Sequence, residues 1–383
     1  MKKSLIALAF GTLALGMTEF LMMGILSDVA HSLNISIPQA GHLVSAYAVG
    51  VACGATLLAV ANRFRPKSIL LFLVSLMFLG ALLSALSPSY AVFLAARFIS
   101  GLPHGAYFGV ASIVAVRLAD EGHKASAVAT MIAGMTVANL FGVPLGTALS
   151  GSVSWRLPFV VVMLWTMVVF SFIWKWVPDV EPAPSNGYKG QFRFLKSAAP
   201  WLILGGTMLG NGGVFCFYSY VTPILLNDSG VPAAYMSIIM VIAGFGMVVG
   251  NLAGGRLSDR FTAGRVSSAV LFLGAISLTL LFFLAGHAVL AVVLTTAAVF
   301  CMFAMGGPQQ YLILEHAPGG EMLGGACIQM AFNLGNALGA FLGGLPIAMG
   351  HADKYATLVG APMTLVASLL MMVFFMKYEK KEA

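Results

Sequence analysis

The chain has 383 residues, 60% of them hydrophobic and only 9% charged, with a formal net charge of +7. Soluble domains carry about 25% charged residues, so this composition excludes a soluble protein and makes the bilayer its solvent. The basic residues lie in short turns between apolar runs, the pattern of cytoplasmic loops rather than of a nucleic-acid surface.

Twelve apolar spans are predicted, at about 5–28, 40–61, 68–86, 90–118, 125–150, 157–177, 201–226, 234–257, 265–286, 288–314, 322–349 and 355–377. Their lengths exclude a bilayer-spanning barrel, whose strands need only about ten alternating residues, and leave no room for a separate soluble domain. The expected fold is an all-α integral membrane protein. Met1-Lys2-Lys3 ahead of span one imitates a signal peptide, but the apolar run continues past Glu19 to Ile25, so a retained first helix is expected.

Span one carries Glu19 with no other charge within eight residues on either side. A carboxylate at that depth costs about 3 kcal/mol on insertion scales and is a functional-site hypothesis by default. Its expected partner is Arg97 in span four. At 1.5 Å per residue, Glu19 lies roughly 21 Å in from the start of span one, and Arg97 lies roughly 10 Å from the opposite end of span four. In a hydrocarbon core about 30 Å thick the two reach one level. A pair there serves either proton coupling or a static salt bridge between helices one and four. His104 lies seven residues beyond Arg97 on the same face; it is read either as a proton relay or substrate ligand, or as an imidazole satisfied by a neighbouring carbonyl beside Pro103.

Small residues recur every fourth position in spans two (Gly50, Gly54), four (Gly101, Gly105, Gly109), five (Gly134, Ala138, Gly142, Gly146), eight (Gly246, Gly250, Gly254) and eleven (Ala331, Gly335, Gly339, Gly343). Such stripes let helix backbones approach closely, and flat faces also suit rocking of one bundle on another. Pro144 is expected to bend span five. Polar residues within the spans are read as interhelical glue or cavity lining, with Tyr47, Asn139, Asn211, Tyr218, Gln329 and Asn333 the better candidates for a substrate cavity. Cys53, Cys216, Cys301 and Cys327 show no pairing or metal-type spacing and are expected as small buried hydrophobes.

The polar stretch Asp179–Pro200 reads as a linker, dividing the chain into six-helix bundles at 1–178 and 201–383 joined by 179–200. The turns after spans two and eight look like copies of one another, with Asn62 and Asp259 lying 197 residues apart. A six-plus-six parallel repeat is a transporter architecture with its site at the repeat interface. Seventeen of the 20 Lys and Arg residues fall in segments on the N-terminal side of the membrane, which places both termini in the cytoplasm.

The turn Gly255-Arg256-Leu257-Ser258-Asp259-Arg260-Phe261 resembles the cytoplasmic loop signature of the major facilitator superfamily, and Arg63-Phe64-Arg65-Pro66-Lys67 a degraded first copy with Asn62 in place of the acid. Arg97–Gly101 resembles the R-x-x-x-G motif of span four, Gly142-Val-Pro144-Leu-Gly146 a loosened span-five antiporter motif, and Trp155-Arg156…Phe159 the entry to span six. The chain is similar to the twelve-span drug/proton antiporter branch of that superfamily. The resemblance implies two parallel pseudo-repeats, a cytoplasmic gate at Asn62, Arg63, Gly255, Asp259 and Arg260, and coupling through Glu19 and Arg97, to which the helical spacing adds His104.

The resulting expectation is a proton-coupled exporter of a sugar or amphipathic solute in a bacterial inner membrane. It is driven by the proton gradient without cofactor or metal, and its partners are the small solute, protons and lipid, with a monomer as the working state. The alternatives are a proton-coupled importer and a non-transporting membrane receptor or scramblase. No phosphate-binding loop, H-E-x-x-H or catalytic triad is found in the sequence, so an enzyme is not expected.

Overall fold

The apolar runs fold as helices, and among the described residues there is no strand. The computed structural model describes residues 2–35, 37–61, 63–181 and 190–380; Asn62 and residues 182–189 of the expected linker lie outside them. We number the long helices α1 (Lys2–Ser32), α2 (Ile37–Ala61), α3 (Pro66–Leu86), α4 (Tyr90–Arg117), α5 (Lys124–Ser152), α6 (Leu157–Trp176), α7 (Ala198–Tyr218), α8 (Met236–Phe261), α9 (Ala263–Leu284), α10 (Ala288–Glu315), α11 (Glu321–Ala348) and α12 (Tyr355–Phe374). Eleven stretches of the described residues are long and apolar enough to cross a membrane, and α2, with 25 residues, stands where the remaining expected span falls.

Local chemistry sets several boundaries. Pro66 and Pro158 sit in the first turns of α3 and α6, where a missing N–H is harmless and the fixed φ suits a helix. The Ser197 hydroxyl caps α7 by accepting from the Ala199 N–H at 3.3 Å. In α5 the ladder widens into a π-helical turn at Ala138–Gly142 just ahead of Pro144. The expected disturbance at the proline is thus a one-turn bulge, and the helix resumes through Ser152. In α10 the helix breaks at Met305 and restarts at Gly306-Gly307-Pro308, which the apolar pattern had read as continuous. Of the cysteines, Cys216 and Cys301 are buried as expected. Cys53 is exposed and Cys327 only partly covered.

Two compact units result: residues Met1–Ala119, Thr130–Phe194 and Ala317–Met330 form one, and Asp120–Ala129, Leu195–His316 and Ala331–Ala383 the other. The first turns of α5 therefore group with the C-terminal half, and those of α11 with the N-terminal half. Within each unit the small-residue stripes bring backbones together. A Cβ on Gly50 or Gly54 of α2 would run into the Phe98 or Leu102 carbonyl of α4. A Cβ on Gly250 or Gly254 of α8 would likewise run into the Phe300 or Ala304 carbonyl of α10. Gly134 of α5 meets the Ala9 carbonyl of α1, and Gly335 of α11 meets the Met208 carbonyl of α7. The same contact made twice, about 200 residues apart, is a parallel pseudo-repeat seen in packing. Without a hydrophobic drive between helices in lipid, this close dispersion contact is what holds them.

Candidate functional site

The first unit buries a charged cluster where α1, α2 and α4 meet. Its foundation is apolar: Leu21, Met22, Ile25, Leu43, Phe93, Trp155 and Phe159 form a continuous core next to it. Phe93 stands one turn before Arg97 on α4, and Trp155 and Phe159 pack on it at 4.9 and 5.5 Å. This core excludes water from the adjoining turn, so any ionic contact there acts in a low dielectric.

Arg97 is fully buried. Its Nη1 donates to the Thr18 carbonyl at 2.8 Å and its Nε to the Leu43 carbonyl at 3.4 Å. The guanidinium carbon lies 4.6 Å from the centre of the Tyr47 ring, a cation–π distance. Nη2 has no hydrogen-bond partner. Glu19, 9% exposed, does not form the direct ion pair with Arg97 that the depth arithmetic suggested. Its carboxylate instead stands 3.8 Å from His104 Nδ1, near enough to Arg97 for the two charges to act on each other. His104 Nδ1 is also 2.7 Å from the Tyr47 hydroxyl, so its partner is a side chain, not the carbonyl beside Pro103. Gln329 of α11 approaches the same imidazole, and the ring stacks on Phe108 at 5.3 Å.

The structure therefore gathers five of the sequence candidates, Glu19, Tyr47, Arg97, His104 and Gln329, into one cluster. Tyr47 and Gln329, read beforehand as cavity lining, contact the residues expected to couple protons. Asn139 lies apart in the π-helical turn of α5, its amide donating to the Met135 carbonyl at 3.2 Å. In the second unit, Asn211 donates to the Phe332 carbonyl at 3.1 Å and to Asn336 Oδ1, tying α7 to α11. Tyr218 is half-buried against Phe215, and Asn333 is half-buried one turn past Gln329. Gly142 and Gly146 accommodate Met17 and Leu21 of α1, so this motif fits α5 to the helix that carries Glu19. Pro144 faces outward from the same contact.

The residues of α8 expected at the gate form a stripe. Asp259 accepts the Ala125 N–H at 2.9 Å and the Ser126 N–H at 3.0 Å, capping the start of α5 with a carboxylate. Gly255 has Ala129 Cβ and the Ala125 carbonyl where its own Cβ would be. Asn251, missed in the sequence, donates to the Ala129 carbonyl at 2.7 Å. Spacings of four place all three on one helical face. Arg260 stacks over Phe261 and borders a polar cavity of about 430 Å³ with Lys124, Tyr311, Glu315 and Glu379. Arg63 is exposed and lies over the Phe64 ring at 5.0 Å; Asn62 lies outside the described residues.

Of two further side chains, Tyr107 is one of the intramembrane polar residues read as interhelical glue, and Glu379 escaped the sequence reading. Tyr107, fully buried, donates to the Leu8 carbonyl at 3.1 Å, fixing α4 to α1 a second time below Arg97. Glu379, beyond α12, accepts the Gly264 N–H at 2.9 Å and the Thr262 hydroxyl at 2.7 Å. It thereby caps α9 where Thr262 is held at φ 82°, a strained value for a β-branched residue. An excess of intramembrane polar residues was the available signal for Tyr107; Glu379 left none. Among the described residues, no group of three or more His, Cys, Asp or Glu is placed to hold a metal ion.

Comparison with known proteins agrees with this architecture. A model of the Major Facilitator Superfamily matches residues 8–326. AraJ of Escherichia coli strain K12 is 42% identical over all of this chain and 97% of its own length. The inner membrane transport protein YdhP of the same organism is 34% identical over 98% of this chain and 96% of its own. Among solved structures, the E. coli fucose:proton symporter FucP superposes with a TM-score of 0.78, covering 97% of this chain and 98% of that one. At 16% identity that likeness speaks for the fold alone.

Proposed function

The chain belongs to the Major Facilitator Superfamily, a family of membrane transporters and not enzymes, and we propose that it exports a small solute in exchange for protons. The observation that carries this reading is the buried cluster of Glu19 with Tyr47, Arg97 and His104. A carboxylate in the membrane is expensive, and a merely structural role would be served by a closed ion pair. Here the carboxylate is divided between an imidazole at 3.8 Å and a guanidinium that keeps one donor unused. That leaves the charge of Glu19 free to change as access to it changes.

In this account Glu19 takes a proton from one side of the membrane and gives it up on the other. His104 Nδ1 is the nearest titratable station. When Glu19 is ionised its charge pulls on Arg97 and His104, both on α4; when it is protonated that pull disappears. Protonation thus weakens the hold of α4 on α1 and biases the bundle between its two arrangements, as a two-state element requires. Asp259, which caps the start of α5, supplies the second such element.

The distribution of Lys and Arg supports both termini lying in the cytoplasm, and the likeness to bacterial inner membrane transport proteins favours that membrane. The solute is a sugar or an amphipathic organic compound, suited to the amides and aromatic rings that the spans carry, and the working unit is a monomer. Import by symport is the second reading, and the unpaired geometry at Glu19 serves it equally. Purified protein in proteoliposomes under an imposed pH gradient, challenged in turn with sugars and lipophilic cations, tests the proposal. Solute-evoked proton entry with solute exit supports exchange, and proton and solute moving together replaces it with symport. Solute movement with no proton flux overturns coupling altogether.

A further inference from the structure

Resting on the reading that Glu19 carries the coupled proton, we infer that Tyr47 is the positioning residue that keeps the Glu19 carboxylate off the Arg97 guanidinium and directs it to His104. Tyr47 is 2% exposed and each end of its side chain is engaged. The face of the ring lies 4.6 Å from the guanidinium carbon, and the hydroxyl lies 2.7 Å from His104 Nδ1. The ring meets the imidazole edge-on, with centroids 5.8 Å apart at 89°. A residue that only filled space would not show a cation on its face and an imidazole at its tip.

The backbone contacts of Arg97 explain why the spacer matters. Nη1 is fixed to the Thr18 carbonyl and Nε to the Leu43 carbonyl. Thr18 immediately precedes Glu19, and Leu43 lies one turn before Tyr47. Arg97 is thus anchored to atoms that do not titrate, on the helices of both neighbours. The buried Nη2 remains without an acceptor although a carboxylate stands in the same cluster. In a dry site, a free guanidinium donor and a carboxylate close on each other unless something stands between them. The titratable and charged groups in the cluster are Glu19 on α1, Tyr47 on α2, and Arg97 and His104 on α4; Gln329 is the contribution of α11. Of these, the Tyr47 ring is the one laid against the guanidinium.

The hydroxyl adds a second control. While it occupies His104 Nδ1 at 2.7 Å, Glu19 is held at the longer 3.8 Å from the same nitrogen. Without the hydroxyl, His104 in its Nδ1–H tautomer has Glu19 as its acceptor, and hydrogen bonding to the ionised carboxylate favours that form. Without the ring, Arg97 reaches Glu19 as well, and an opposite charge within about 4–6 Å lowers a carboxyl titration by roughly 1–3 pH units. Both deletions therefore move the proton step of Glu19 towards lower pH, the larger deletion further.

The test is an infrared pH titration of the full-length protein in lipid nanodiscs, following the carboxyl band that Glu19→Gln abolishes. Tyr47→Leu removes ring and hydroxyl; Tyr47→Phe removes the hydroxyl alone and is the milder change should the first variant not fold. The expected half-titration pH falls by about one unit or more in Tyr47→Leu and by a smaller amount in Tyr47→Phe. A folded variant whose half-titration pH is unchanged or raised overturns the role of Tyr47 while leaving a titrating Glu19 intact. If wild type shows no band that Glu19→Gln removes, the proton-carrying reading falls, and this inference with it.

Discussion

Replacing Asp259 by Asn should unfasten the first turn of α5, and the size of the effect follows from two hydrogen bonds. The ring of His123, immediately before Lys124, points Nδ1 at the Glu121 carbonyl at 3.0 Å. The carboxylate of Asp259 supplies the cap from α8, one oxygen to each of the Ala125 and Ser126 N–H groups. An Asn side chain keeps one acceptor and turns an NH₂ towards the other amide, so one bond becomes a donor–donor conflict. The loss of one hydrogen bond to a charged group is worth about 1.5–3 kcal/mol. Taking ~2 kcal/mol, the equilibrium for opening that turn shifts about 30-fold. Hydrogen exchange read by mass spectrometry on peptides spanning residues 124–129 should therefore accelerate about 30-fold in Asp259→Asn, with α9 and α12 unaffected. Exchange unchanged within about twofold would show that α5 does not depend on Asp259 for its cap, and the gate role built on that contact would fail.

Other substitutions probe the packing and the second cap. Gly254→Ala drives a Cβ into the Ala304 carbonyl, backbone that cannot yield cheaply. It should lower stability by about 1–3 kcal/mol in a detergent melting assay, whereas Gly41→Ala, with nothing within 4 Å, should be neutral or slightly stabilising. Glu379→Gln weakens the cap on α9 by about 1–2 kcal/mol; exchange at the Gly264 amide should rise about tenfold without a change at Ala125 or Ser126.

Much of this architecture is legible in the residues because membrane solvation constrains sequence so strongly. Runs of apolar residues give the helices, and glycines every fourth residue give the contacts between them. The carbonyls those glycines meet, such as Leu102 opposite Gly54 and Ala304 opposite Gly254, are main-chain atoms and leave no mark in the sequence. Depth arithmetic brings Glu19 and Arg97 to one level, because rise per residue is fixed. It carries no azimuth, however, and so could not show that the Tyr47 ring lies against the Arg97 guanidinium or that His104 becomes the nearer partner of Glu19. Asp259 is readable from its motif, whereas Asn251 two turns earlier looks like any intramembrane amide until Ala129 is placed against it. Glu379 sits in a charged tail whose composition resembles a solvated end, and only the fold reveals the strained Thr262 beside it. The break at Met305 is hidden for a similar reason: Gly306-Gly307-Pro308 is compatible with a kinked helix as well as an interrupted one.

The central claim is that Glu19 carries the proton that drives the solute. It is tested most directly by comparing two transport modes in proteoliposomes bearing wild type or Glu19→Gln. One mode is solute accumulation under a pH gradient; the other is exchange of labelled for unlabelled solute with no gradient. The account predicts that Glu19→Gln keeps exchange at a rate comparable to wild type, because the fold and solute contacts survive, and loses accumulation at every pH. Accumulation that persists in Glu19→Gln and still follows the pH gradient would contradict it.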